Sequence, residues 1–100
     1  MPPEMRAVPG LPDYLAASDG SVWRLSGTTL APVKAHRLKN GYRAVNARHG
    51  PGDWSTQYVH RFVALAWLPP PPPGAQTRHL NGDRDDSTPG NLAWGDARSN

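Results

Sequence analysis

The chain has 100 residues, a mass of 10.9 kDa, no cysteine and a formal net charge of +3, which is material for one small core and leaves no room for a second catalytic domain. Without cysteine there is no disulfide, thiolate zinc site, iron–sulfur cluster or cysteine nucleophile. The longest apolar run, Phe62 to Leu68, is seven residues, far below the roughly 18–20 that span a bilayer, and no charged-then-apolar leader opens the chain, so a soluble, intracellular protein with no membrane partner is expected.

Glycine and proline make up 22 of 100 residues, while four tryptophans and three tyrosines supply core material, so a folded, loop-rich domain is expected. Gly10 to Pro12 opens a turn, after which Tyr14 to Ser18, the Asp19-Gly20 pair and Ser21 to Leu25 read as strand, tight turn and strand. Thr28 to Ala35 is a third strand and Asn40-Gly41 a second turn signal. Tyr42 to Ala47, with Tyr42, Ala44 and Asn46 alternating, is a fourth strand. His49 to Asp53 reads as a loop and Ser55 to Val59 as a short strand. His60 to Leu68 reads as a helix, because Val59, Phe62, Val63, Ala66 and Trp67 recur at helical spacing, and that face should centre the core. Five prolines, Pro69 to Pro73, end the helix and form a stiff extended spacer, a reading preferred here over a ligand for SH3-like grooves. A brief strand Thr77 to Leu80, a polar loop Asn81 to Gly90 and a strand Leu92 to Trp94 follow, with Asp96 placed as the N-cap of a last short helix.

Charge is unevenly spread. Between Gly20 and Gly52 lie six basic residues, Arg24, Lys34, Arg37, Lys39, Arg43 and Arg48, with His36 and His49 and no acid, a candidate face for a polyanion. Beyond Phe62 the balance reverses, with Asp83, Asp85, Asp86 and Asp96 in the last eighteen residues. An acidic pocket beside a basic surface suits a divalent cation held against phosphate, although a solvated basic face with an acidic loop accounts for the charges equally well.

The segment with chemistry in it is Arg78-His79-Leu80-Asn81-Gly82-Asp83, followed by Asn91-Leu92-Ala93-Trp94 and by Asn100. In a hairpin closed by a loop of about ten residues, a carbonyl from Asn91 can orient the His79 imidazole and leave its other nitrogen free to take a proton from water. A side-chain oxygen on the helix beyond can ligate a hard cation. Spacing alone does not separate this from a structural polar cluster.

The stretch from Val59-His60-Arg61-Phe62-Val63-Ala64 through Arg78-His79-Leu80-Asn81-Gly82-Asp83 to Asn91-Leu92-Ala93-Trp94-Gly95 resembles the HNH endonucleases of phages and mobile introns. The front half, in Val8-Pro9-Gly10, Tyr14, Ser18-Asp19-Gly20-Ser21-Val22 and Gly41-Tyr42-Arg43-Ala44-Val45, is similar to a small β-rich module that often precedes such motifs. The resemblance implies an α+β fold: an N-terminal antiparallel β module over residues 1–58 that binds DNA, one central helix, and a C-terminal ββα-metal motif over 59–100, together one domain. It implies that His79 is the general base activating water against a phosphodiester of double-stranded DNA, that Asn91 holds His79, and that Asn100 ligates a single divalent cation, Mg²⁺ or Mn²⁺. One strand would be nicked, leaving a 5′-phosphate and a 3′-hydroxyl, in the cytoplasm of a cell hosting a phage or mobile element.

Three departures stand out. Many relatives carry Asp or His before the base as a first metal ligand, where this chain has Arg78, a cation suited instead to contacting the scissile phosphate. A metal held by Asn100, waters and phosphate resembles the single-asparagine site of non-specific nucleases with an Arg-Gly-His motif. Asp86-Ser87 stands where relatives have two asparagines, and Asn100 is the last residue of the sequence, which leaves about one turn for its helix. These departures motivate the alternative of a DNA-binding module with a degenerate, inactive HNH centre.

The remaining residues take structural readings. His60 is assigned a hydrogen bond inside the domain in preference to ligation, Trp67 and Trp94 go to the core, and Trp23 and Trp54 are left open. His36 and His49 go to the surface, and Asp83 shapes its loop by bonding backbone amides. Arg24, Lys34, Arg37, Lys39, Arg43 and Arg48 are expected to bind phosphates, with steep salt dependence and loose sequence preference unless the chain forms a homodimer.

Overall fold

The computed structural model of this chain describes residues 3–50 and 52–95, which form nine strands, one α-helix and a single 3-10 turn. The first sheet is antiparallel in the order β1 (Met5–Val8), β2 (Leu11–Ala17), β3 (Val22–Ser26), β4 (Thr29–Pro32). Its central hairpin is the one expected around Asp19-Gly20. Asp19 Oδ1 accepts hydrogen bonds from the Ser21 amide at 3.0 Å and the Ser21 hydroxyl at 2.5 Å, an Asx turn that closes the chain on itself. Gly20 has φ +88°, and a Cβ there would stand 3.0 Å from the Ser87 carbonyl carbon, so the turn needs glycine both for its backbone and for the loop lying against it. Strand β1 is not signalled by any alternation in Met5-Arg6-Ala7-Val8. It forms by pairing with β2, and a register shift between Ala7 and Val8 accompanies the burial of Val8.

The second sheet runs β5 (His36–Arg37), β6 (Arg43–Gly50), β7 (Asp53–Tyr58). The Asn40-Gly41 turn is present, with the Tyr42 amide donating to Asn40 Oδ1 at 3.1 Å and Gly41 at φ +88°. The loop expected at His49 to Asp53 is shorter than its polarity implies, because β6 continues to Gly50 and β7 begins at Asp53. The buried residues of β6 are Ala44, Val45 and Ala47, while Asn46 is exposed. The alternation expected from Tyr42, Ala44 and Asn46 therefore does not describe which side chains face the core.

Strand β7 leads directly into α1 (Val59–Trp67). This helix has no side-chain N-cap and no acid in its first turn, and nine residues are marginal as an isolated helix, so it depends on the faces it buries. Val59, Phe62 and Val63 are buried as the periodicity requires, but His60 and Ala64 are buried too. The helix is covered on a second side, by the cavity described below. It ends where the Leu68 amide bonds to the Ala64 carbonyl at 2.9 Å and the prolines begin.

One buried cluster draws on every part of the fold: Val8, Tyr14, Ala16 and Val22 from the first sheet, Val45 and Ala47 from the second, Val59, Phe62, Val63 and Ala64 from the helix, and Leu92 from the last hairpin. The Phe62 ring lies 5.8 Å from that of Tyr14, whose hydroxyl accepts the Arg48 amide at 2.8 Å, so this phenol is fully buried with its polar end paired. Side chains of this size each contribute about 1.5–3 kcal/mol on burial. The described residues on either side of position 58 thus share a core.

The proline run is exposed, and its first carbonyl, at Pro69, accepts the Trp94 indole N–H at 2.8 Å. Beyond it β8 (Gln76–His79) and β9 (Leu92–Gly95) pair antiparallel, His79 opposite Leu92, with the 3-10 turn at Pro89–Asn91 before β9. The described helix precedes this hairpin. The helix expected after it, from Asp96 onward, lies outside the described residues, so the two strands of the expected ββα motif are seen and its last element is not. Among the described residues no helix is long and apolar enough to cross a membrane.

Candidate active site

The loop between β8 and β9 is held by its own polar side chains. Asn91 Oδ1 accepts the Asn81 amide at 3.1 Å, and Asn91 Nδ2 donates to Asn81 Oδ1 and to the Asp86 carbonyl, both at 2.9 Å. Asn81 Oδ1 also accepts the Asp83 amide at 2.8 Å, and Asp83 Oδ1 accepts the Asp85 amide at 3.0 Å, the loop-shaping role expected of Asp83. Asp86 takes the Thr88 hydroxyl at 2.6 Å and the Thr88 amide at 3.3 Å, and the Thr88 hydroxyl is the main reason its carboxyl stays below the usual carboxylate range. Asp85 reaches across to the second sheet and pairs with Arg37 at 2.5 Å and Arg43 at 3.2 Å.

Two expectations are corrected here. The side chain of Asn91 closes the loop and makes none of these bonds to the His79 ring, because the loop turns both its oxygen and its nitrogen onto Asn81 and Asp86. Of the four acids expected to form a pocket, Asp96 lies outside the described residues, and Asp83, Asp85 and Asp86 are engaged in the loop and in the tie to Arg37 and Arg43.

The cavity that His79 faces has a volume of about 690 Å³ and is lined by Tyr42, Tyr58, His60, Arg61, Arg78, His79 and Arg84, among others, with no carboxylate among the described lining residues. His79 is the last residue of β8, His60 lies in the first turn of α1, Tyr58 ends β7, and Tyr42 follows the Asn40-Gly41 turn. The aromatic rings interlock: His60 to His79 4.8 Å edge-on, Tyr58 to His60 5.0 Å stacked, Tyr42 to His60 5.0 Å and Tyr42 to His79 5.8 Å. Arg84 lies over Tyr42 at 4.6 Å and donates to the Asn40 carbonyl, while Asn40 Nδ2 donates to the Tyr58 hydroxyl at 3.1 Å. The turn, the loop and both tyrosines are thereby locked together.

Burial is the main reason the His79 pKa lies below 6.5. Asp83 and Asp86 pull it back up and Arg84 opposes them, so the ring is neutral at neutral pH. His60 is only 7% exposed, and burial first, then the proximity of His79 and Arg61, lowers its pKa to about 4. Nε2 of His79 and Nδ1 of His60 are both buried without a hydrogen-bond partner. The hydrogen bond inside the domain expected for His60 is therefore absent at Nδ1, and the residue belongs to the cavity wall.

Of the residues assigned from sequence, His79 and Arg78 meet at this cavity. None of the six basic residues assigned to DNA lines it. Arg37 and Arg43 are tied to Asp85, Arg24 lines a second cavity of about 340 Å³ with Tyr14, Asn46 and Trp54, Arg48 lies 6.0 Å from the Trp54 ring, and Lys34 and Lys39 are exposed. His36 is exposed as expected, and the side chain of His49 lies outside the described residues. Trp67 and Trp94 are half-buried with their N–H groups bonded to the Ala16 and Pro69 carbonyls, whereas Trp54 is 55% exposed. The guanidinia that do line the cavity include Arg61 and Arg84. The only signal for Arg61 was its place beside His60, and Arg84 was hidden among aspartates.

Asn100, the residue assigned to a metal, lies outside the described residues. Among those described, no three His, Asp or Glu side chains converge, and Arg78 brings a positive charge to the cavity. The described residues do not fit a divalent cation by themselves.

The family model for HNH endonuclease matches residues 57–100, which include α1, β8, β9 and the loop carrying Asn91. A solved structure concerned with DNA binding and cleavage by the HNH homing endonuclease I-HmuI superposes with a TM-score of 0.83 at 24% identity, over 96% of this chain and 54% of that one. At that identity the likeness shows the fold, and the chain spans about half the length of the protein it matches. No curated protein matches the chain. Residues 57–100, which carry His79 and Asn91 on one hairpin, match the family model for HNH endonuclease.

Proposed function

We propose that the chain hydrolyses a phosphodiester of double-stranded DNA, nicking one strand with His79 as general base and leaving a 5′-phosphate and a 3′-hydroxyl. The observation that supports this most directly is a neutral histidine in a cavity lined by the guanidinia of Arg61, Arg78 and Arg84. A phosphodiester is an anion, and planar donors in a fork hold its non-bridging oxygens while offsetting charge that develops on them. Nε2 of His79 is sealed from solvent, so exchange with the cavity falls to Nδ1. A water proton passes to Nδ1, the water oxygen forms its bond to phosphorus, and the bond to the 3′-oxygen breaks as that oxygen takes a proton from a second water, which leaves the 3′-hydroxyl. Asn91 acts through the loop, keeping the end of β8 in place. Dependence on Mg²⁺ or Mn²⁺ with Asn100 as protein ligand enters from the family resemblance alone. Lys34, Lys39, Arg24 and Arg48 supply phosphate contacts outside the cavity.

A DNA-binding module with an inactive centre is the competing reading, favoured by a cavity whose described lining includes three guanidinia. Nicking of supercoiled plasmid by wild type and His79→Ala, with Mg²⁺, Mn²⁺ or EDTA from pH 5 to 8, separates the two. The nuclease reading expects open circles only with metal, half-maximal rate below pH 6.5, a plateau at neutral pH and no product from His79→Ala. If both proteins bind DNA alike and neither cuts, the binding-module reading replaces it.

A further inference from the structure

Two buried ring nitrogens without partners sit on rings that touch: Nδ1 of His60 and Nε2 of His79, in imidazoles 4.8 Å apart and inclined at 64°. A buried polar atom left unpaired is costly, and these two have a common remedy, because a neutral imidazole offers one N–H and one lone pair. We propose that His60 is the positioning residue of this site: a small rotation of the two rings lets His60 Nδ1 accept the Nε2–H of His79, which holds His79 in the tautomer whose Nδ1 is free to take the proton of water. The proposal rests on the nuclease reading and assigns to His60 the orienting role that spacing gave to Asn91, whose side chain is engaged with Asn81 and Asp86.

The direction of this hydrogen bond follows from the charges around each ring. His79 is faced by the carboxylates of Asp83 and Asp86 as well as by Arg84, whereas His60 is faced by Arg61, His79 and the rings of Tyr42 and Tyr58. Burial and these cations keep His60 neutral down to about pH 4, so its lone pair persists through the working range. A proton arriving from water therefore goes to His79. Protonated His79 carries N–H on both nitrogens, so only the arrangement with His60 as acceptor serves both before and after the transfer; the opposite arrangement would have to reverse at each turnover. His60 is well placed to stay still, stacked on Tyr58, whose hydroxyl is tied to Asn40, and covered by Tyr42 under Arg84.

The test uses the full chain, labelled with ¹⁵N-histidine, at pH 7.5. Long-range proton–nitrogen correlation reads the tautomer of His79 directly, with no cleavage needed, and is expected to show N–H at Nε2. His60→Phe keeps a ring between the tyrosines and removes the acceptor. It should mix the His79 tautomers, move the midpoint of the rate profile to lower pH, and slow nicking about tenfold with DNA affinity unchanged. His60→Asn, which restores an acceptor near the same place, should recover the Nε2–H tautomer and most of the rate. Finding His79 in wild type with N–H at Nδ1 overturns the proposal, even if His60→Phe does not fold. So does a folded His60→Phe with tautomer and profile unchanged. If wild type does not cut, the nuclease reading fails while the tautomer measurement still decides the role of His60.

Discussion

Acid should destabilise this protein through one ring. His60 ionises at about 4 in the folded chain against 6.5 when free. Between those values the unfolded chain takes up a proton at this side chain that the folded chain refuses, so the stabilising contribution is complete above pH 6.5 and disappears as the pH falls toward 4. At about 1.4 kcal/mol per pH unit the whole window amounts to about 3 kcal/mol, of which about 2 kcal/mol is lost by pH 5. His79, whose pKa is also lowered, adds in the same direction. Urea unfolding followed by tryptophan fluorescence at pH 7.5, 6 and 5, at fixed ionic strength, measures this in wild type and in His60→Phe. The wild-type free energy should fall by about 2 kcal/mol or more between pH 7.5 and 5, and His60→Phe should retain only the smaller share due to His79. Equal pH slopes in the two proteins would refute the argument, since His60 would then be titrating as freely in the fold as outside it.

Asp85→Asn releases Arg37 and Arg43 from their shared carboxylate. Because all three side chains are substantially exposed, each pair is worth about 0.2–1 kcal/mol and Tm should move little. The slope of log affinity against log salt for duplex DNA should steepen by about 1–2 as the freed guanidinia meet phosphates, measured by fluorescence anisotropy. Asn91→Ala removes three hydrogen bonds that close the β8–β9 loop and should cost about 2–3 kcal/mol in thermal unfolding. It should leave the His79 tautomer unchanged, in contrast to His60→Phe. Gly20→Ala places a Cβ 3.0 Å from the Ser87 carbonyl carbon at φ +88° and should lose about 1–3 kcal/mol. Gly10→Ala has a similar φ of +84° but meets nothing within 4 Å, so its smaller loss isolates the contribution of the Ser87 contact.

Local signals determined much of this protein in advance. Asp19-Gly20 and Asn40-Gly41 mark their turns because an Asx hydrogen bond and a positive φ are properties of those residues themselves. The helix at Val59–Trp67 and its stop at the prolines follow from period and from a ring that cannot continue the ladder. The hairpin that carries His79, with Asn91 just before its second strand, was legible from motif order, although His79 pairs with Leu92 and not with Asn91. Strand β1 was not legible, since Met5–Val8 carries no alternation of its own and forms only by pairing with the neighbouring β2. The make-up of the site was hidden for a different reason. Tyr42, Tyr58 and His60 lie on three elements, and only packing brings them onto His79. Charge totals could not show that Asp85 binds Arg37 and Arg43 from some forty residues away, or that the guanidinia of Arg61, Arg78 and Arg84 would meet at the cavity. Residue type sets what each group can do, but which groups lose their water and face one another is settled by the tertiary fold, because desolvation and contact depend on neighbours distant in the chain.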